Sequence, residues 1–491
     1  MLEITSELLT HLENGGTLVV PTRQRATAVR LAHSAAMLKA GLRVWNSPDV
    51  LPWSPWIERE LDAARARFEA LPRRLSPTEE WLLWREAVRE ACSDFGVLMP
   101  DALIEPVRRA LGRLDDFAVP LPAATSAETA VLLQARAGFR RRCQQLEALG
   151  ATSWQDCVAF VRPSARVLLT GFTTLGPARA RWLQQHGVRV LAAADSTLDT
   201  AAPSVKACDD PSDEARAAAH WCWTRLAQDP RARLLLVVPR LRQQRHLWQR
   251  ALSQHLDFAA LLSGGSSAAE SLFALEGGLP LACYPVAAAA LDLIALVAGP
   301  VPFERFGALL RAPYFAALER ERSLRLELWL REHNIAQLAA PDLPALASAV
   351  SAQHGATAAD WAQAFAALLQ HCGWPGAASL GSAEHQVRVR FDELLGEFAS
   401  MGALAGRLRG SEAAALLHEL AQRATFEPAT DDVPVTVTAS LDDPVVRYDG
   451  IWVAGLSADL WPAPAQPDPL LPPLAQQQWG LPEASAAGQL S

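Results

Sequence analysis

Short apolar runs and longer amphipathic stretches alternate along this chain. Val433, Val435 and Val437 alternate with Pro434 and Thr436, which predicts a half-buried strand. A loop holding Asp442, Asp443 and Pro444 follows. The run Gly450–Leu456 is then apolar throughout and predicts a fully buried strand ending at a glycine. Thr17–Pro21, Val167–Leu169, Val188–Leu191 and Arg233–Pro239 carry similar short strand patterns. Around them the period becomes helical. Helices are predicted over residues 2–13 (closed by Gly15-Gly16), 26–40, 58–70, 213–226, from Arg240 to Leu252, and 286–297. Another opens at Gly176-Pro177 and includes Trp182 and Leu183.

Residues 75–150 are almost purely helical by period. Ser76 reads as an N-cap, Pro77 as the first helical position and Glu79 as the partner three residues beyond the cap. Trp81, Leu82, Trp84, Val88 and Cys92 follow as one apolar face. Further helices are expected over 102–117 and 126–149, and they carry Arg108, Arg109, Arg113, Arg136, Arg140, Arg141 and Arg142. From Phe303 to about Thr425 the chain is again helical, and acidic. Strands separated by helices in this way predict an α/β fold.

Composition narrows the chemistry. The chain has 491 residues and a net charge of −8. Residues 1–200 hold 24 Lys+Arg against 22 Asp+Glu (+2), and residues 201–491 hold 21 against 31 (−10). Bulk charge therefore does not advertise a polyanionic partner, and such a partner would need a local basic surface. The 7 cysteines contain no CxxC pair, so neither a zinc ribbon nor a disulfide framework is indicated, and His371-Cys372 alone is no zinc site. The first residues form an acidic amphipathic pattern rather than a signal peptide. Pro285 and Asp292 interrupt the most apolar stretch, Leu279–Pro302, so a cytoplasmic chain without a membrane span is expected.

The only lysines, Lys39 and Lys206, exclude two chemistries. A phosphate loop needs Gly-Lys-Ser/Thr, because its lysine reaches the β- and γ-phosphates. Neither lysine follows a glycine. A PD-(D/E)XK nuclease core needs an acid two residues before its lysine, and Met37 and Ser204 stand there. No GxSxG or HExxH motif is present either.

The order of these segments resembles superfamily 1 helicases. More closely, it resembles the AddB/RecC-like helicase-fold module of a proteobacterial DNA-repair family, which carries a C-terminal PD-(D/E)XK nuclease domain that this chain lacks. Val433–Pro462 resembles motif V, with "Gly-Leu…Trp-Pro" at Gly455, Leu456, Trp461 and Pro462. Thr17–Arg25 resembles the motif I and Ia region. Val167–Pro177 resembles the motif II segment, keeping Gly171, Phe172 and Pro177 but placing Thr170 where an aspartate would hold magnesium. Arg240 matches the motif IV arginine, and Phe303–Phe315 is similar to a family signature. The arginine-bearing motif VI would follow beyond the end of this chain.

The resemblance implies two RecA-like domains (1A and 2A) with large helical insertions (1B and 2B). Domain 1 spans 1–205, with core 1–57 and 160–205 and insertion 75–155. Domain 2 spans 206–491, with core 206–300 and 430–465 and insertion 301–428. It implies a degenerate, ATPase-inactive module of a DNA repair or recombination nuclease that binds or guides single-stranded or forked DNA. A helicase or nuclease subunit, or a missing nuclease domain, is the implied protein partner. Thr22, Arg23, Arg25 and Arg240 are the expected DNA or phosphate contacts. No catalytic, cofactor-binding or metal-ligating residue is assigned, and no cofactor. The alternative is an interaction scaffold that docks such a partner without touching DNA, which the acidic second half favours.

Overall fold

The computed structural model describes residues 2–66, 71–150, 157–164, 166–173, 175–191, 203–257, 272–316, 319–338, 355–376, 379–429, 432–458, 460 and 464–485. The fold is mixed α/β, mostly helical, with parallel main sheets. Contacts divide the chain into two compact units. One comprises Met1–Leu261, Ser271–Glu276 and Asp432–Ser491, and the other Leu262–Glu270 and Gly277–Asp431. Ser263–Ser267, whose Ser/Gly composition predicts a flexible loop, lies outside the described residues, as do Trp461 and Pro462.

The first unit opens with α1 (Ser6–Glu13), β1 (Thr17–Val20), α2 (Arg23–Lys39), β2 (Val50–Pro52) and α3 (Trp53–Arg65). The helix α3 begins five residues before its predicted start, so Trp53, Ser54, Pro55 and Trp56 supply its first turn. A helical layer follows: α4 (Pro77–Cys92), α5 (Ile104–Phe117) and α6 (Ala127–Gln145). The predicted capping box of α4 is formed: Ser76 Oγ accepts from Glu79 N, and the Glu79 carboxylate accepts from Ser76 N at 2.8 Å. The chain returns with β3 (Val167–Leu169), α7 (Pro177–Gln185) and β4 (Arg189–Val190). The four strands form a parallel sheet in the order β2-β1-β3-β4.

Side chains alternate across this sheet, and both faces are covered. Val19, Val167 and Leu169 join Trp53, Trp56 and Trp182 on one face. Leu18, Val20 and Leu168 join Leu8, Leu12, Ala26 and Val29 on the other. Only the outermost strand, β4, leaves its residues exposed.

The second sheet belongs to the same unit. It consists of α8 (Pro211–Gln228), β5 (Leu234–Val237), α9 (Leu241–Leu256), β6 (Phe273–Leu275), β7 (Val435–Thr438) and β8 (Gly450–Val453). Its strands are parallel in the order β8-β5-β7-β6. Leu234, Leu236, Val435, Val437 and Phe273 pack with Trp248 and Leu252 of α9. The expectation for Gly450–Leu456 is corrected here. The segment forms an edge strand whose outer face is uncovered, leaving Ile451 51% and Val453 38% exposed, while Trp452 on the other face packs against the core. An apolar run does not specify a central position when strand order is set by distant segments.

The second unit packs α10 (Pro285–Ala298), α11 (Phe303–Arg311), α12 (Arg320–Glu332), α13 (Ala358–His371), α14 (Ser382–Ser400) and α15 (Gly410–Arg423). The buried Glu327 of α12 accepts from both Arg311 and Arg331, and Tyr314 Oη donates to Glu384 at 2.9 Å. Burial and this carboxylate push the Tyr314 phenol up to about 12.

Candidate functional site

In an open parallel sheet, ligands bind at the carboxyl ends of the strands, where strand order reverses. In the first sheet this point lies between β1 and β3, because β2 pairs on one side of β1 and β3 on the other. Pro21 and Thr22 leave β1 there, and Thr170, Gly171 and Phe172 leave β3. Thr170 N donates to Val19 O at 3.1 Å, and Thr170 is 5% exposed. A buried hydroxyl at this position supplies no anionic metal ligand.

The crevice is occupied by the chain itself. The segment between β7 and β8 leaves the second sheet and reaches the first. Asp442 accepts from Thr173 N at its Oδ1 (3.3 Å) and from the Arg25 guanidinium at its backbone oxygen (3.1 Å). Ser440 Oγ donates to Asp442 Oδ2 at 2.7 Å and accepts from Asp442 N, which folds the segment tightly. Val445, Val446 and Tyr448 then enter the apolar cluster on one face of the first sheet. Arg447 N donates to Glu3 O at 3.0 Å beyond them. Burial raises the pKa of the Tyr448 phenol, while the Arg25 guanidinium opposes the rise.

Backbone strain marks the contact. Val445, a β-branched residue, has φ +68°, and Gly171 has φ +83°. A Cβ on Gly171 would run into Val445 Cγ2 and would lie 3.2 Å from Pro21 Cδ. Gly171 thus serves both the turn after β3 and the close approach of Val445.

The four sequence-derived contact residues separate. Thr22 caps α2, accepting from Arg25 N at 3.2 Å. Arg23 is exposed on the first turn of α2. Arg25 is 1% exposed and turned inward to Asp442, so its guanidinium is not presented at the surface. Arg240 is exposed at the start of α9, at the carboxyl end of β5 in the second sheet. The arginines of the first helical layer are engaged: Arg108 with Glu105 (2.8 Å), Arg109 with Asp468 (3.5 Å), Arg113 with Glu483, and Arg141 and Arg142 with Glu90 (2.9 Å each). Arg136 and Arg140 also have partners.

Among the described residues no group of three or more His, Cys, Asp or Glu side chains could hold a metal ion. No described helix is long and apolar enough to cross a membrane.

Sequence reasoning missed the occupied crevice. Asp442, Asp443 and Pro444 read as an ordinary loop, although Val445, Val446 and Tyr448 are too apolar for a solvated one. No family model and no curated protein matches this chain.

Proposed function

We propose that this chain is an ATPase-inactive, superfamily 1 helicase-like module of a DNA repair or recombination nuclease, which binds or guides DNA. On this reading the two parallel sheets are RecA-like cores, and the helical layers are insertions of the AddB/RecC-like kind. The module acts in the cytoplasm beside a helicase or nuclease subunit, or beside a nuclease domain of the resembled family. One observation carries the ATPase-inactive part. The crevice where a nucleotide would sit is filled by Asp442, Val445 and the inward-turned Arg25. Thr170 in place of an acid and the absence of any Gly-Lys-Ser/Thr segment support it from the sequence side.

Purified protein is expected to hydrolyse no ATP in magnesium, with or without DNA, above a mock purification. Turnover above that background would overturn the ATPase-inactive reading.

A second reading, a scaffold that docks a protein partner without binding DNA, draws support from α12. Leu324, Leu328 and Trp329 are 50%, 60% and 50% exposed there, which is apolar surface a partner could cover.

A further inference from the structure

Between Pro230 and Leu256 the sequence contains 6 arginines, 2 histidines and no Asp or Glu. This run lies in the half of the chain whose net charge is −10. Structure separates its two sides. Leu241, Trp248, Ala251 and Leu252 of α9 are buried against the second sheet. Arg245 is used internally, donating to the backbone oxygens of Leu275 (3.1 Å) and Glu276 (2.9 Å). Arg242, His246 and Arg250, at i, i+4 and i+8, remain exposed on the outer face, with Arg240 exposed at the helix start.

Among the described residues, no ion pair joins Arg240, Arg242 or Arg250 to a carboxylate, in contrast with the paired arginines of the helical layer. At the far end of α9, His255 lies 6.4 Å from His220 of α8. His220 in turn stacks on Trp223 (5.9 Å, 21°), which is 51% exposed. At about 3.6 residues per turn, His255 falls on the packed side of α9 with Ala251 and Trp248, so this ring cluster lies apart from the arginine face.

Uncompensated guanidinium groups in a row concentrate positive potential where the surrounding charge is negative. Arg242 and Arg250 are separated by about 12 Å along the helix, at a rise of about 1.5 Å per residue. That span is long enough to meet more than one backbone phosphate of a strand.

We infer that the outer face of α9, with Arg242, His246 and Arg250 and with Arg240 at the helix start, is a track for the phosphate backbone of a DNA strand. This rests on the DNA-binding reading above and moves the main interaction away from the α2 start and from the arginines of the helical layer.

The test is anisotropy of a labelled oligo(dT) of about 20 nucleotides against the full chain across a salt series. The variant R242E/R250E is compared with R322E/R325E, an equal charge change on α12. R242E/R250E is expected to weaken binding at least about tenfold and to lower the salt slope by about 1.4, or about 0.7 for each phosphate that is no longer neutralised. R322E/R325E should leave both unchanged. If the unaltered protein binds and R242E/R250E matches it in affinity and slope, the track is wrong and the DNA reading survives. If the unaltered protein does not bind even at low salt, the DNA reading falls and the track with it. Tighter binding of labelled poly-glutamate than of oligo(dT) would reassign the face to an acidic protein segment and overturn the proposal.

Discussion

His33 lies on α2 with 4% of its surface exposed, and its Nδ1 has no hydrogen-bond partner among the described residues. Burial lowers its pKa from the ordinary 6.5, and Glu13 opposes the shift only partly. The folded chain therefore holds His33 neutral at a pH where the unfolded chain takes up a proton. Its stabilising contribution is complete above 6.5 and is lost as pH falls toward the lowered folded value. Urea melts between about pH 7.5 and 5.5 should show stability falling with pH, and His33→Gln should show a shallower fall. Equal slopes would show that His33 does not carry this dependence. Arg25 makes the complementary point about single residues. Its sequence context, a basic turn after a strand, reads as surface, yet its side chain is buried through an interaction 417 residues away.

At the scale of elements, the segment between β7 and β8 acts as a wedge in the first sheet. Gly171→Ala places a Cβ in the left-handed region and against Val445 Cγ2, and it should cost about 1–3 kcal/mol in a denaturant melt. A neutral result would mean that the wedge does not press on the turn after β3. Local signals made several elements legible in advance. The α4 start was readable because Ser76 and Glu79 satisfy each other within four residues and Pro77 fits the first helical position. Thr17–Val20 and Val167–Leu169 were readable because their apolar runs are short and bounded, and Val435–Thr438 because its valines alternate with polar positions. The edge position of β8 was not readable, since it depends on which strand pairs with β5. The occupied crevice was not readable either, because its two walls and its plug come from residues near 20, 170 and 445.

At the scale of the whole molecule, both sheets share one compact unit built from three separate stretches of chain. That arrangement brings the Asp442 segment onto the carboxyl end of β1 and β3, which closes off a ligand position inside the unit. It leaves Arg23, Arg240 and the outer face of α9 as exposed cationic surface. On the proposed reading, a module without nucleotide turnover can still hold a strand through such surface, since phosphate contacts require charge and position only. The most direct measurement is anisotropy of labelled forked DNA with the unaltered protein across a salt series. The account predicts binding at low salt that weakens linearly on logarithmic axes as salt rises. No binding even at low salt would contradict it and leave the scaffold reading in its place.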